Sequence, residues 1–211
     1  MTGPEANGQH GAAREHISAL MSALAGLDTG RLAHWGRRLA LVLGGGGRVL
    51  LAGNGGSAAH AQHLAAEFTG KFDADRAPYS AFALHAESST VTAIANDYGY
   101  DEVFARQVRA HGRPGDVLLT LSTSGRSRNL IRAAGVARGA GLESWCLTGP
   151  APNPLAAACD EAVCVGSHGA PALTATVQEA HQVALHLICL AFDRACETGE
   201  ATEREISEWS R

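Results

Sequence analysis

Five short apolar runs, bounded by glycine or polar residues, recur through the middle of the chain: "RVLLAG" (48–53), "SAFALH" (80–85), "DVLLTLS" (116–122), "ESWCLTG" (143–149) and "EAVCVGS" (161–167). Runs that are apolar throughout read as parallel strands covered on both faces. Helical spacing fills the intervals, for instance over 57–69, 101–111 and 126–139. Strands alternating with helices require right-handed crossovers, which place helices on both sides of one sheet. The expected fold is α/β: a three-layer, doubly wound parallel sheet of about five strands, flavodoxin-like in plan.

Before the first strand, Ile17, Leu20, Met21, Leu24, Leu27, Leu32, Trp35 and Leu39 recur at helical intervals, with "LDTG" (27–30) as a break and "GGGG" (44–47) as a stop. This is an N-terminal helical extension. A last helix is expected over 173–197. The Gly-, Asn- and Pro-rich stretch 1–11 is expected to be disordered, 12–197 to form one domain, and 198–211 to be a polar tail. With 45% hydrophobic residues in 211, the chain can bury a full core.

Net charge is −4, which leaves no basic footprint for nucleic acid. No window approaches the ~18 unbroken apolar residues of a membrane span, so neither nucleic acid nor membrane is an expected partner. Cys146, Cys159, Cys164, Cys189 and Cys196 are scattered, with no C-x-x-C pair, and the N-terminus lacks an apolar export core. They read as reduced thiols of a cytoplasmic protein.

In an open parallel sheet, ligands bind beyond the carboxyl ends of the strands, where strand order reverses. The loops to read are then "GNGGS" (53–57), "HAESS" (85–89), "STSGRS" (122–127), "TGPAPN" (148–153) and "GSHGAP" (166–171). Ser122, Thr123, Ser124 and Ser127 surround Gly125 where a strand gives way to a helix. Hydroxyls and free backbone N–H groups at a helix N-terminus suit a phosphate, and the cluster exceeds what a helix cap requires. In "GNGGS", Gly53, Gly55 and Gly56 admit a ligand close to the backbone, while Asn54 and Ser57 add polar groups. The spacing is not G-x-G-x-x-G, and no G-K-[ST] follows, so dinucleotide and nucleoside triphosphate sites are disfavoured.

His63 and Glu67 stand at i and i+4 on the helix that this turn opens, and so share a face. On the last helix, Gln178 and His186 are eight apart, roughly 80° around the axis. His186 in "VALHLICLAF" and Glu67 in "LAAEF" both sit where burial is expected. Ionisable groups buried against a pocket suit a general acid and a general base. Together the four also make a mixed nitrogen and oxygen donor set, and spacing leaves both readings open. His34, His85, His111 and His168 read as ordinary surface or backbone-bonded rings, and His181 points roughly 140° away from His186.

Four segments in order, "GNGGSAAHAQHLAAEFTGKF", "AIANDYGYDEVFARQ", "LSTSGRSRNLIRAA" and "VQEAHQVALHLI", resemble the sugar isomerase (SIS) domain, and within it the phosphoheptose isomerases. The similarity spans about 15–195. It implies conversion of sedoheptulose 7-phosphate to D-glycero-D-manno-heptose 7-phosphate by a zinc-binding homotetramer. The resemblance places substrate contacts at Asn54, Gly55, Gly56, Asn96, Asp97, Ser122, Thr123, Ser124 and Ser127, with Ser57 beside them. It places zinc ligands at His63, Glu67, Gln178 and His186, with Glu67 and Gln178 also meeting substrate. Glu67 is expected to act as base and His186 as acid, through an enediol. Two alternatives stand beside this reading: an isomerase of another sugar phosphate, and a non-catalytic partner-binding module, whose relative in the same superfamily lacks the counterparts of Glu67 and His186, both retained here. The chain departs from the family pattern at Ala175 and Thr176, usually acidic and basic, and at His60, usually Asp.

Overall fold

Side chains alternate along each strand between two apolar cores, and this period of two divides the molecule into layers. The computed structural model describes residues 4–166 and 172–198. Its strands are β1 (Val49–Gly53), β2 (Ala81–Ala83), β3 (Val117–Ser122), β4 (Glu143–Thr148) and β5 (Glu161–Cys164), paired in parallel in the order β2-β1-β3-β4-β5. The expected three-layer doubly wound sheet is the observed one.

Val49, Leu51, Leu119, Leu121, Trp145 and Leu147 face one core, which holds helices α2 (Thr29–Gly44), α3 (Gly56–Thr69) and α8 (Thr174–Thr198). Leu50, Ala52, Leu118 and Cys146 face the other, with α4 (Ser88–Tyr98), α5 (Val103–His111), α6 (Arg128–Gly139) and the short α7 (Pro154–Ala158). Aromatic contacts lock the first layer. Trp35 of α2 stacks on Trp145 of β4 at 5.1 Å, and Phe192 of α8 meets Phe68 of α3 edge-on at 4.9 Å. The second contact sets α8 against α3, and the site depends on it.

Differences from the sequence reading are local. Helix α1 spans Pro4–Ala25 and so reaches back into the stretch expected to be disordered. Proline is tolerated in a first helical turn because its missing N–H has no partner to lose there. Residues 101–111 divide into a 3-10 turn, Tyr100–Glu102, and α5. The sequence reading singled out neither α4 nor α7. The polar tail beyond Thr198 lies outside the described residues, as does His168. Among the described residues, no helix is long and apolar enough to cross a membrane.

Candidate active site

Strand order reverses between β1 and β3, since the chain leaves β1 towards β2 on one side and later returns to β3 on the other. Ligand crevices form at such a point. Here the turn after β1 (53–57) and the serine loop after β3 (122–127) flank it.

In the serine loop, the buried Ser122 hydroxyl lies 3.2 Å from Ser127 Oγ and 3.5 Å from Ser124 Oγ, and accepts from Gly125 N at 3.2 Å. Gly125 has φ +61°, and a Cβ there would collide with Asn153, so glycine is required for both conformation and space. Ser127 is the N-cap residue of α6, yet its side chain makes no capping hydrogen bond. Helix capping therefore does not account for this hydroxyl. It joins the other serines at a helix N-terminus, an arrangement suited to an anion.

Across the crevice, Asn54 and Asn129 form a reciprocal amide pair: Asn54 Nδ2 donates to Asn129 Oδ1 at 3.0 Å, and Asn129 Nδ2 donates back to Asn54 Oδ1 at 2.9 Å. The Tyr100 hydroxyl also donates to Asn54 Oδ1, at 2.9 Å. Gly56 leaves room for the Gln178 amide of α8, which a Cβ at that position would strike. Gln178 thus faces the glycine turn. Ser57 is buried at the start of α3.

On the same side of the sheet, His63 Nε2 lies 3.1 Å from Glu67 Oε1 and 3.0 Å from His186 Nε2. One ligand atom from each of His63, Glu67 and His186 lies within 4.8 Å of the others. Spacing within α3 pairs the first two, and the packing of α8 on α3 delivers the third within one chain. Arg76 reinforces that packing, donating to the Glu67 carbonyl at 2.5 Å, to the Phe68 carbonyl at 3.0 Å and to Asp193 of α8 at 2.8 Å. Glu67 and His186 are half-buried in the chain, not enclosed as the apolar runs around them led us to expect.

Of the remaining histidines, His181 is fully buried with Nε2 3.1 Å from the Thr148 carbonyl. Burial holds its pKa down at about 4, the Thr148 carbonyl opposing and the nearby His60 adding to the shift. Burial and His63 likewise lower His60. Both rings leave Nδ1 buried without a partner.

The SIS domain model matches residues 14–149, nearly two thirds of the chain. The chain belongs to the SIS domain family. It is 68% identical over 166 residues to the phosphoheptose isomerase of Streptomyces coelicolor, covering 79% of this chain and 70% of that one. It is 48% identical over 152 residues to the phosphoheptose isomerase of Rhodospirillum rubrum, covering 72% and 79%. Among solved structures, phosphoheptose isomerase from Neisseria gonorrhoeae superposes with a TM-score of 0.74 at 40% identity, covering 90% of this chain and 98% of that one. A phosphoheptose isomerase from Francisella tularensis gives 0.79 at 29% identity, covering 91% and 100%.

Within this SIS domain, Asn96 and Asp97 lie exposed on the last turn of α4, Asn96 donating to Asp97 Oδ1 at 2.8 Å. Gly99, at φ +84°, then turns the chain so that Tyr100 returns to Asn54. Three polar residues at the site escaped the sequence reading: Asn129, Tyr100 and Gln182. Gln182 Nε2 lies 2.9 Å from His186 Nε2, and its position at i−4 was the available signal. Asn129 and Tyr100 fell inside recognisable motifs, but their partner is distant in sequence.

Proposed function

We propose that this SIS domain is a ketose–aldose isomerase that converts sedoheptulose 7-phosphate to D-glycero-D-manno-heptose 7-phosphate. The observation that carries the reading is the meeting of Glu67 with His63 and His186 in a chain whose strand-order switch point also carries the serine loop. The first cluster suits proton transfer and the second suits an anion.

Isomerisation moves a proton between adjacent carbons. In this reading the Glu67 carboxylate takes the proton from C1 and, as the acid, returns it to C2. His186 donates a proton to the C2 oxygen as the enediol forms and accepts the one released from the C1 hydroxyl. Ser122, Thr123, Ser124 and Ser127 hold the phosphate at the N-terminus of α6, which fixes the sugar chain without adding positive charge. Gly55 and Gly56 leave the backbone open to the ligand, with Asn54, Ser57, Asn96, Asp97 and Gln178 as its polar surroundings.

His63, Glu67 and His186 would hold a zinc ion; the resemblance adds Gln178, whose amide in this chain lies against Gly56 instead. Two imidazoles and a carboxylate whose donor atoms lie within 4.8 Å of one another fit its preferences. Bound there, zinc would supply Lewis-acid polarisation of a carbonyl or serve as a structural ion. Glu67 and His186 cannot transfer protons through atoms that ligate it, so in the first case the coordination shell is partial during turnover.

A homotetramer is part of the proposal, supported by apolar side chains left exposed on the outer helices: Ile17 and Met21 of α1, and Val183 and Leu190 of α8. Cytoplasmic residence rests on five cysteines, all unpaired. Incubation with sedoheptulose 7-phosphate, with and without chelator, tests the whole. A folded protein that produces no aldose in either arm, with or without added zinc, would falsify the isomerase reading.

A further inference from the structure

We infer that Asn54 is held as a hydrogen-bond donor only, with Asn129 and Tyr100 as the positioning residues that hold it. The inference rests on the isomerase reading above. A side-chain amide oxygen has two lone pairs. At Asn54 both are occupied, by Asn129 Nδ2 and by the Tyr100 hydroxyl, each at 2.9 Å. One N–H of its amide is engaged by Asn129 Oδ1 at 3.0 Å. What Asn54 has left to offer a ligand is its second N–H.

The clamp is itself anchored. Asn129 is buried, and its Oδ1 also accepts from Leu130 N at 2.9 Å, so its amide cannot turn over without losing that bond. It stands two residues after Ser127, inside the first turn of α6. The amide pair therefore ties the phosphate loop on one side of the crevice to the glycine turn on the other. Tyr100 closes the arrangement from a third segment, with its ring half exposed.

A fixed donor selects its partner. The oxygen it meets must be an acceptor, and the gain is greatest where that oxygen carries negative charge. On a sugar phosphate this chemistry comes from the oxygen of the developing enediolate or from a phosphate oxygen. A hydroxyl that must itself donate is not served by Asn54.

The test is a double-mutant cycle on kcat/KM with sedoheptulose 7-phosphate, using Asn54→Ala, Asn129→Ala and the pair. Asn54→Ala should lower kcat/KM roughly 10- to 100-fold, and Asn129→Ala should cost under about threefold more once Asn54 is gone. Tyr100→Phe, a surface change that keeps the fold, should cost several-fold in the parent and nothing in the Asn54→Ala background. Asn54→Asp, the same size but acceptor-only, should lose at least as much as alanine. Losses that multiply, or an active Asn54→Asp enzyme, overturn the inference.

Competitive inhibition by inorganic phosphate distinguishes the two acceptors. A weakened inhibition constant in Asn129→Ala assigns the N–H to the phosphate, and an unchanged one with lower kcat assigns it to the enediolate. Thermal unfolding of the same four proteins reads the clamp without any substrate. Non-additive losses support it and additive losses overturn it, even if the parent proves inactive and the isomerase reading itself fails.

Discussion

The Nε2 atoms of His63 and His186 lie 3.0 Å apart, too close for two bare lone pairs. A Glu67 oxygen sits 3.1 Å from the first and the Gln182 amide nitrogen 2.9 Å from the second. Three acceptor-capable atoms thus lie together, and either a proton on one ring nitrogen or a bound cation satisfies the contact. Both occupants suit the proposed chemistry, and each makes a separate prediction.

Glu67→Gln keeps size and hydrogen bonding but removes the base. Turnover should fall by about 10²–10⁴-fold, with the unfolding midpoint and inhibition by inorganic phosphate nearly unchanged. Steady-state kinetics beside a urea titration checks this. Activity within a few-fold of the parent would remove Glu67 from the base role.

If the cluster holds zinc, the purified protein should carry about one ion per chain, and His63→Ala should carry almost none at the same free zinc. Elemental analysis after dialysis reads the difference. Equal metal content in both proteins would place the ion elsewhere.

Ser127→Ala removes a hydroxyl that faces Ser122 and does not cap its own helix. KM should rise roughly tenfold, the loss of about one hydrogen bond to a charged group, with kcat nearly constant. Thermal stability should change little. A clear drop in melting temperature without a KM effect would return this serine to a structural role.

His181 makes stability fall with acid. Its ring is neutral in the folded state down to about pH 4, whereas the unfolded chain takes up its proton near 6.5. Above pH 6.5 neither state is protonated, and the contribution is fully present. Between 6.5 and about 4 only the unfolded state gains a proton, and the native state loses ground. At pH 5 this amounts to roughly 2 kcal/mol from this residue. Urea midpoints at pH 7.5 and 5 should therefore separate, and His181→Gln should narrow the gap. An equally steep acid dependence in the variant would remove His181 as its source.

Much of this was legible before any coordinates. Apolar runs bounded by turn residues located all five strands, because a strand covered on both faces has to be apolar throughout. The serine cluster was legible because four hydroxyls at one strand-to-helix turn are local in sequence. The pairing of His63 with Glu67 followed from helical pitch alone. Tertiary structure decided the rest. Helical pitch says which residues share a face of one helix, but not which helix that face meets. Phe192 against Phe68, with Arg76 bridging α3 to Asp193, brought His186 to His63 within one chain and half-exposed it. The amide pair of Asn54 and Asn129 spans 75 positions. Such a contact depends on which strands become neighbours, and the pattern along a single strand carries no record of that.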